Sequence, residues 1–217
     1  MTKGLSENTL MRALDFAYDK AVNGVAGMDS ASEIAECYMK REGSKVDQAD
    51  SLIRWQCAKA GTSGFLTGLG GILAMPVTLP ANITSVMYIQ VRMIAAIAHL
   101  GGHDLKDDRV KTLVYVCLTG NAAKDILKDI GIVVGRKLTE NAIKNISGKT
   151  ITAINQRVGF RLLTKFGEKG AVNLGRAVPL VGGGVGATFD SVTTGIIGKI
   201  AKATFISEID STAQQAV

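Results

Sequence analysis

The sequence predicts an all-α fold: a single helical bundle in which a Pro-turned, Gly-rich apolar hairpin packs on a Gly-rich C-terminal helix. Three observations predict it. No segment sustains period-two alternation, and no Asn-Gly or Asp-Gly pair sits between strand-like runs, so sheet signatures are missing. Apolar residues instead recur three and four apart along most of the 217 residues. Finally, the 32 residues from Ala60 to Val91 carry no charged side chain and are interrupted by Met75-Pro76-Val77-Thr78-Leu79-Pro80. Hydrophobic residues at 47% and charged residues at 20% exclude a disordered chain, and the length supplies one sizeable core. The 25 glycines, against three prolines, lie inside apolar helix-patterned segments, where they let helices approach closely.

Each element has its own signal. Leu10, Leu14, Ala17, Ala21 and Val22 form one stripe after Ser6, a helix N-cap residue. Ser30 and Glu33 stand in capping-box spacing ahead of a second helix ending at Gly43. A third follows Ser44, with Leu52, Ile53, Trp55 and Cys57 as its apolar positions. The apolar arms come next, Ala60 to Met75 and Ala81 to Leu100, stopped by Gly101-Gly102. Arg109 to Leu118 is amphipathic. Asn121 to Ile146 and Thr150 to Phe166 read as two basic helices. A last helix begins after Pro179, and the tail from Ser207 is expected to fray. The expected organisation is N-terminal amphipathic helices (1–59) continuous with a helical core (60–206), then a flexible tail (207–217).

Neither apolar arm suits a full membrane crossing, which takes ~20 apolar residues. The first arm has sixteen residues before Pro76, diluted by glycine, and the second meets Arg92 eleven residues after Ala81. The alternatives are a hairpin buried in a helical core and a shallow wedge in a bilayer. Gly64 and Gly68, and Gly182 and Gly186, are small-residue pairs suited to close helix packing in either setting. Asp190 lies alone in the apolar C-terminal helix, where an unpaired carboxylate would be costly. Arg92 is its natural partner, giving a structural ion pair between the two apolar elements.

Charge is uneven. From Asp104 to Arg176 there are fourteen Lys and Arg against seven Asp and Glu, a local +7 in a chain of net +6. Lys124, Lys128, Arg136, Lys137, Lys144, Lys149, Arg157, Arg161, Lys165 and Lys169 would draw this region to an anionic surface. Aromatic residues are not interleaved with them, Phe160 and Phe166 apart, so nucleic acid is not an expected partner. Cys37, Cys57 and Cys117 are odd in number and widely spaced, which favours a reducing compartment over a disulfide framework. The N-terminus lacks the apolar run of a secretory signal, consistent with a cytoplasmic location.

Catalytic and cofactor motifs are weak. Ser147-Gly148-Lys149-Thr150 resembles the end of a phosphate loop, but Ile143 stands where the first glycine belongs. Gly182, Gly184 and Ala187 fit a dinucleotide fingerprint without the strands that such a site needs. His99, His103 and Asp104 have metal-ligand spacing, yet Gly101-Gly102 interrupts the helical face. No catalytic, cofactor or metal residue is assigned, and no small-molecule substrate is identified.

Gly64-Phe65-Leu66-Thr67-Gly68-Leu69-Gly70-Gly71, Leu79-Pro80, Arg92-Met93-Ile94-Ala95-Ala96-Ile97-Ala98 and Gly102-His103-Asp104 occur in that order. They are followed by Gly175-Arg176-Ala177-Val178-Pro179, Gly182-Gly183, Gly186 and Asp190. Together these blocks, spanning roughly Ile53 to Phe205, resemble the EcsC family. Members often carry an acid just after the Leu-Pro, where this chain has Asn82. The family takes its name from a protein encoded beside an ABC transporter, so the resemblance implies membrane-linked bacterial physiology and supplies no catalytic residues. The expected function is non-enzymatic, peripheral association with the inner membrane, with anionic lipid or a membrane protein as partner. A soluble interaction or immunity-type protein with an acidic partner is the alternative, and an uncharacterised hydrolase or metal-dependent enzyme a third.

Overall fold

The computed structural model describes residues 6–25, 27–60, 81–132, 140–166 and 184–206, with side chains described throughout except at 59, 60, 81–83, 85, 140 and 184–190. Helix α1 (Glu7–Asn23) starts where the Ser6 hydroxyl accepts the Thr9 amide, 3.2 Å, and turns Leu10, Ala13, Leu14, Ala17, Tyr18 and Ala21 into the core. Helix α2 (Ala31–Met39) has the complete capping box: the Glu33 amide donates to Ser30 Oγ, and the Ser30 amide to Glu33 Oε2. It stops four residues before Gly43, because the buried Gln48 amide draws the carbonyls of Met39, Arg41 and Gly43 into a turn instead. Ser44 and Asp47 cap each other at the start of α3 (Lys45–Ala60). On α3, Leu52 and Ile53 are buried, but Trp55 is 54% exposed, against the expectation that it belongs to the apolar face.

Helix α4 (Ala81–Leu100) is the axis of the molecule. From Met87 to Leu100 every residue but His99 is buried, and α1, α2, α3, α5 and α9 all pack on it. The chain leaves α4 through Gly102, whose φ of +89° favours glycine. Helix α5 (Asp108–Leu118) is capped by Asp107, and its Tyr115 ring meets Tyr18 edge-on at 5.7 Å.

The basic helix expected over Asn121 to Ile146 is not continuous. A 3₁₀ turn (Gly120–Ala122) leads into α6 (Ala123–Asp129), which ends before Gly131, where φ is +80° and the Ile132 amide reaches back to the Leu127 carbonyl. A short α7 (Glu140–Lys144) follows, then α8 (Gly148–Phe166), capped by Ser147 through the Thr150 amide. Gly148 thus opens a helix. The last described element is α9 (Gly184–Phe205).

The register of α9 is fixed by close contacts. Lys202 pairs with Asp50 at 2.6 Å, Gly198 lies against Ile53, and Gly195 against Cys57, so α3 and α9 run antiparallel. Gln90 donates to Thr194 at 3.2 Å and Gly101 lies against the Phe205 carbonyl, so α4 and α9 run parallel. A Cβ on Gly198 would sit 2.8 Å from Ile53 side-chain atoms, and one on Gly101 2.3 Å from the Phe205 oxygen. Glycine is therefore what permits both approaches. By this register Ala60 lies level with Val192, and α4 and α9 continue roughly 10 Å past the end of α3 at 1.5 Å per residue.

Candidate functional site

Arg92 is the charge most deeply set among the described residues, 2% exposed on α4. Its Nη1 donates to the Asp29 carbonyl at 3.2 Å, its guanidinium lies 5.2 Å from the Tyr88 ring centre, and Nε has no partner. Burial pulls its pKa down, opposed by Tyr88 and Asp29, while burial pushes the Tyr88 phenol up. A guanidinium stays charged under these conditions. Asp190 falls in α9, but its side chain, like Gly182 and the turn residues Pro76 and Pro80, lies outside the described residues, as do Gly64 and Gly68. Gly186 is in the first turn of α9.

On its other flank α4 carries Gln90, whose amide nitrogen meets Thr194 while Oε1 is unpaired. The central helix thus takes buried polar contacts from two directions, the α1–α2 turn through Arg92 and α9 through Gln90.

The basic residues are spread over several elements. Lys124 and Lys128 are exposed on α6, Lys144 on α7, and Lys149, Arg157 and Arg161 on α8, with Lys165 half-buried; Arg136, Lys137 and Lys169 lie outside the described residues. Acids intrude among them: Arg157 pairs with Asp129, and Glu7, Asp125 and Asp129 share with Phe160, Arg157 and Arg161 a groove of about 460 Å³. Phe160 is 57% exposed there. Helix α8 packs on α1 and α5, whereas α9 packs mainly on α3 and α4 and also meets α5 and the 3₁₀ turn. Helix α5 therefore touches both the basic α8 and the apolar α9, which sequence spacing does not reveal.

His103 turns inward. Its Nε2 lies 3.2 Å from the Phe205 carbonyl and its ring packs edge-on against Phe205 at 5.4 Å, satisfying a carbonyl at the end of α9. Burial lowers its pKa, the Phe205 contact opposes this, and Lys45 adds to the lowering. Asp104 instead accepts the Lys106 amide. Among the described residues no three His, Cys, Asp or Glu side chains gather as a metal site. Cys117 is buried beside Thr204, its thiol pushed up to about 12, so it is an inert core residue.

Sequence reasoning missed two features. Tyr115 donates to Asp15 at 2.8 Å and Lys111 pairs with the same carboxylate, joining α5 to α1. Val192 and Ile196, one turn apart on α9, are 59% and 38% exposed. Their i, i+4 spacing is visible in the sequence, and Lys199 continues the same stripe three residues after Ile196, a cue to the solvent face that counting apolar residues passes over.

The fold and these contacts define an all-α protein organised about a buried, arginine-bearing central helix that a parallel Gly-rich helix closes. Residues 28–206 match the EcsC protein family, and the chain belongs to that family. Neither a curated protein nor a solved structure matches it.

Proposed function

We propose that this chain is a non-enzymatic accessory protein that associates with the inner face of a bacterial membrane by one end of its bundle. The observation that carries the reading is the register of α3, α4 and α9. By that register α3 ends, and α4 and α9 begin, at one end of the bundle. The charge-free stretches of sequence 61–80 and 177–183 adjoin those termini. The exposed Val192 and Ile196 flank the middle of α9, Val192 on the side of that end. Among the described residues no helix is long and apolar enough to cross a membrane, and the association proposed is with its surface. The cations of α6 and α8 would add a salt-screened attraction from another side of the molecule.

Liposome flotation at low and high salt tests this. Binding that survives high salt and is lost in Val192→Asp/Ile196→Asp is expected. Absence of flotation with neutral and anionic vesicles alike would sink the membrane reading.

A further inference from the structure

Between α2 and α3 lies a groove of about 400 Å³ lined by Tyr38, Arg41, Ser51, Arg54 and Trp55. We infer that this groove is a binding site for the phosphate of an anionic phospholipid headgroup, with the Trp55 indole seated at headgroup depth; the inference rests on the membrane reading above. Both guanidiniums are exposed and neither has a carboxylate partner among the described residues. Both are also held in place. Arg41 lies 4.1 Å from the Tyr38 ring centre, and its carbonyl is fixed by the buried Gln48 amide at 2.9 Å. Arg54 Nη2 donates to Ser51 Oγ at 3.1 Å.

Two positioned guanidiniums match the planar, bidentate recognition that phosphate oxygens favour, and the cost of ordering them is met in the free protein. The headgroup, rather than a soluble phosphate, is indicated by what surrounds the pair. Trp55 is 54% exposed beside them, and the sequence runs on from it through Lys59 into residues 60–80, which hold no charge. Indole and cations bordering an apolar segment are the composition of a membrane–water boundary. Of the four acids on these two helices, Asp50 pairs with Lys202, Glu33 caps α2, Asp47 caps α3 while also feeling the Arg54 charge, and Glu36 is exposed on α2.

Trp55 is the only tryptophan, so its emission reports on the site directly. The full chain is titrated with phosphatidylglycerol vesicles, phosphatidylcholine vesicles and inorganic phosphate, reading Trp55 emission and flotation together. A blue shift with phosphatidylglycerol, little with phosphatidylcholine, and about 30-fold weaker binding in Arg41→Gln/Arg54→Gln are expected. An unchanged far-UV spectrum establishes that the double variant folds, and either single variant substitutes for it otherwise. Wild-type flotation with silent Trp55 and an unaffected variant would overturn this site while leaving membrane association intact. Failure of the wild type to float would overturn both. A saturable Trp55 response to inorganic phosphate alone would replace the lipid by a soluble phosphate ligand.

Discussion

Helices α4 and α9 are composed alike and lie parallel, yet they are solvated differently. Each is about twenty residues of mostly small and branched apolar side chains, with a single Arg or Asp in the charge-poor part. Among the described residues five helices pack on α4, and none of its residues from Met87 to Ala98 is exposed. On α9, Thr194, Ile197 and Ala201 are buried, but Val192, Ile196 and Lys199 meet solvent. Apolar content alone therefore does not say which helix is core. The number of neighbours decides it, and α9 is left with an apolar face for which the described residues offer no cover.

Substitutions at matched positions can break that comparison. Ile94→Asp on α4 introduces an unpaired carboxylate at a site with 0% exposure, and should cost more than about 4 kcal/mol, read as loss of the cooperative thermal transition. Retention of the fold would mean that α4 is not the core. Gly101→Ala comes next, at about 2–3 kcal/mol, because the new methyl meets the Phe205 carbonyl oxygen, which His103 holds in place. Chemical denaturation measures it, and a neutral result would contradict the parallel register.

A smaller effect comes from pH. Burial keeps His103 neutral in the fold, while in the unfolded chain it protonates near its ordinary value of about 6.5. The unfolded state then binds more protons, so the stability His103 contributes is complete above that value and declines as pH falls through it toward the folded pKa. Between about pH 7.5 and 5.5 the wild type should lose more melting temperature than His103→Gln, which keeps a donor for Phe205. Equal losses would remove His103 from the closure of α9. The smallest change is expected for Val192→Asp, within about 0.5 kcal/mol in solution, although it weakens vesicle binding. Strong destabilisation there would show that α9 is covered after all.

Much of this fold was legible in the chain. Ser6, Ser30 and Ser44 begin helices as their spacing to Thr9, Glu33 and Asp47 implies, since capping is chemistry local to four residues. Gly101-Gly102 stops α4 for the same reason. The reading failed where distant contacts decide. The periodicity of 121–146 suggested one helix, but the positive φ at Gly131 ends it early. Trp55 fits an apolar count, although it faces outward with Arg54. The candidate site was less legible than the fold. Charge counting pointed to α8, whereas Arg41 and Arg54 lie in a segment of near-zero net charge, and only the turn clamped by Gln48 brings them together.

The parallel pairing of α4 with α9 also bears on how the protein is made. The neighbour that meets Gln90 and Gly101 is Thr194 and Phe205, just over a hundred residues downstream. A ribosome adding 5–20 residues per second needs roughly 5–20 s to supply that stretch. For that interval the most apolar of the described helices has α1, α2 and α3 beside it but no α9. Nascent-chain aggregation and chaperone capture should therefore peak in chains ending between α4 and α9, and disappear once Phe205 has emerged.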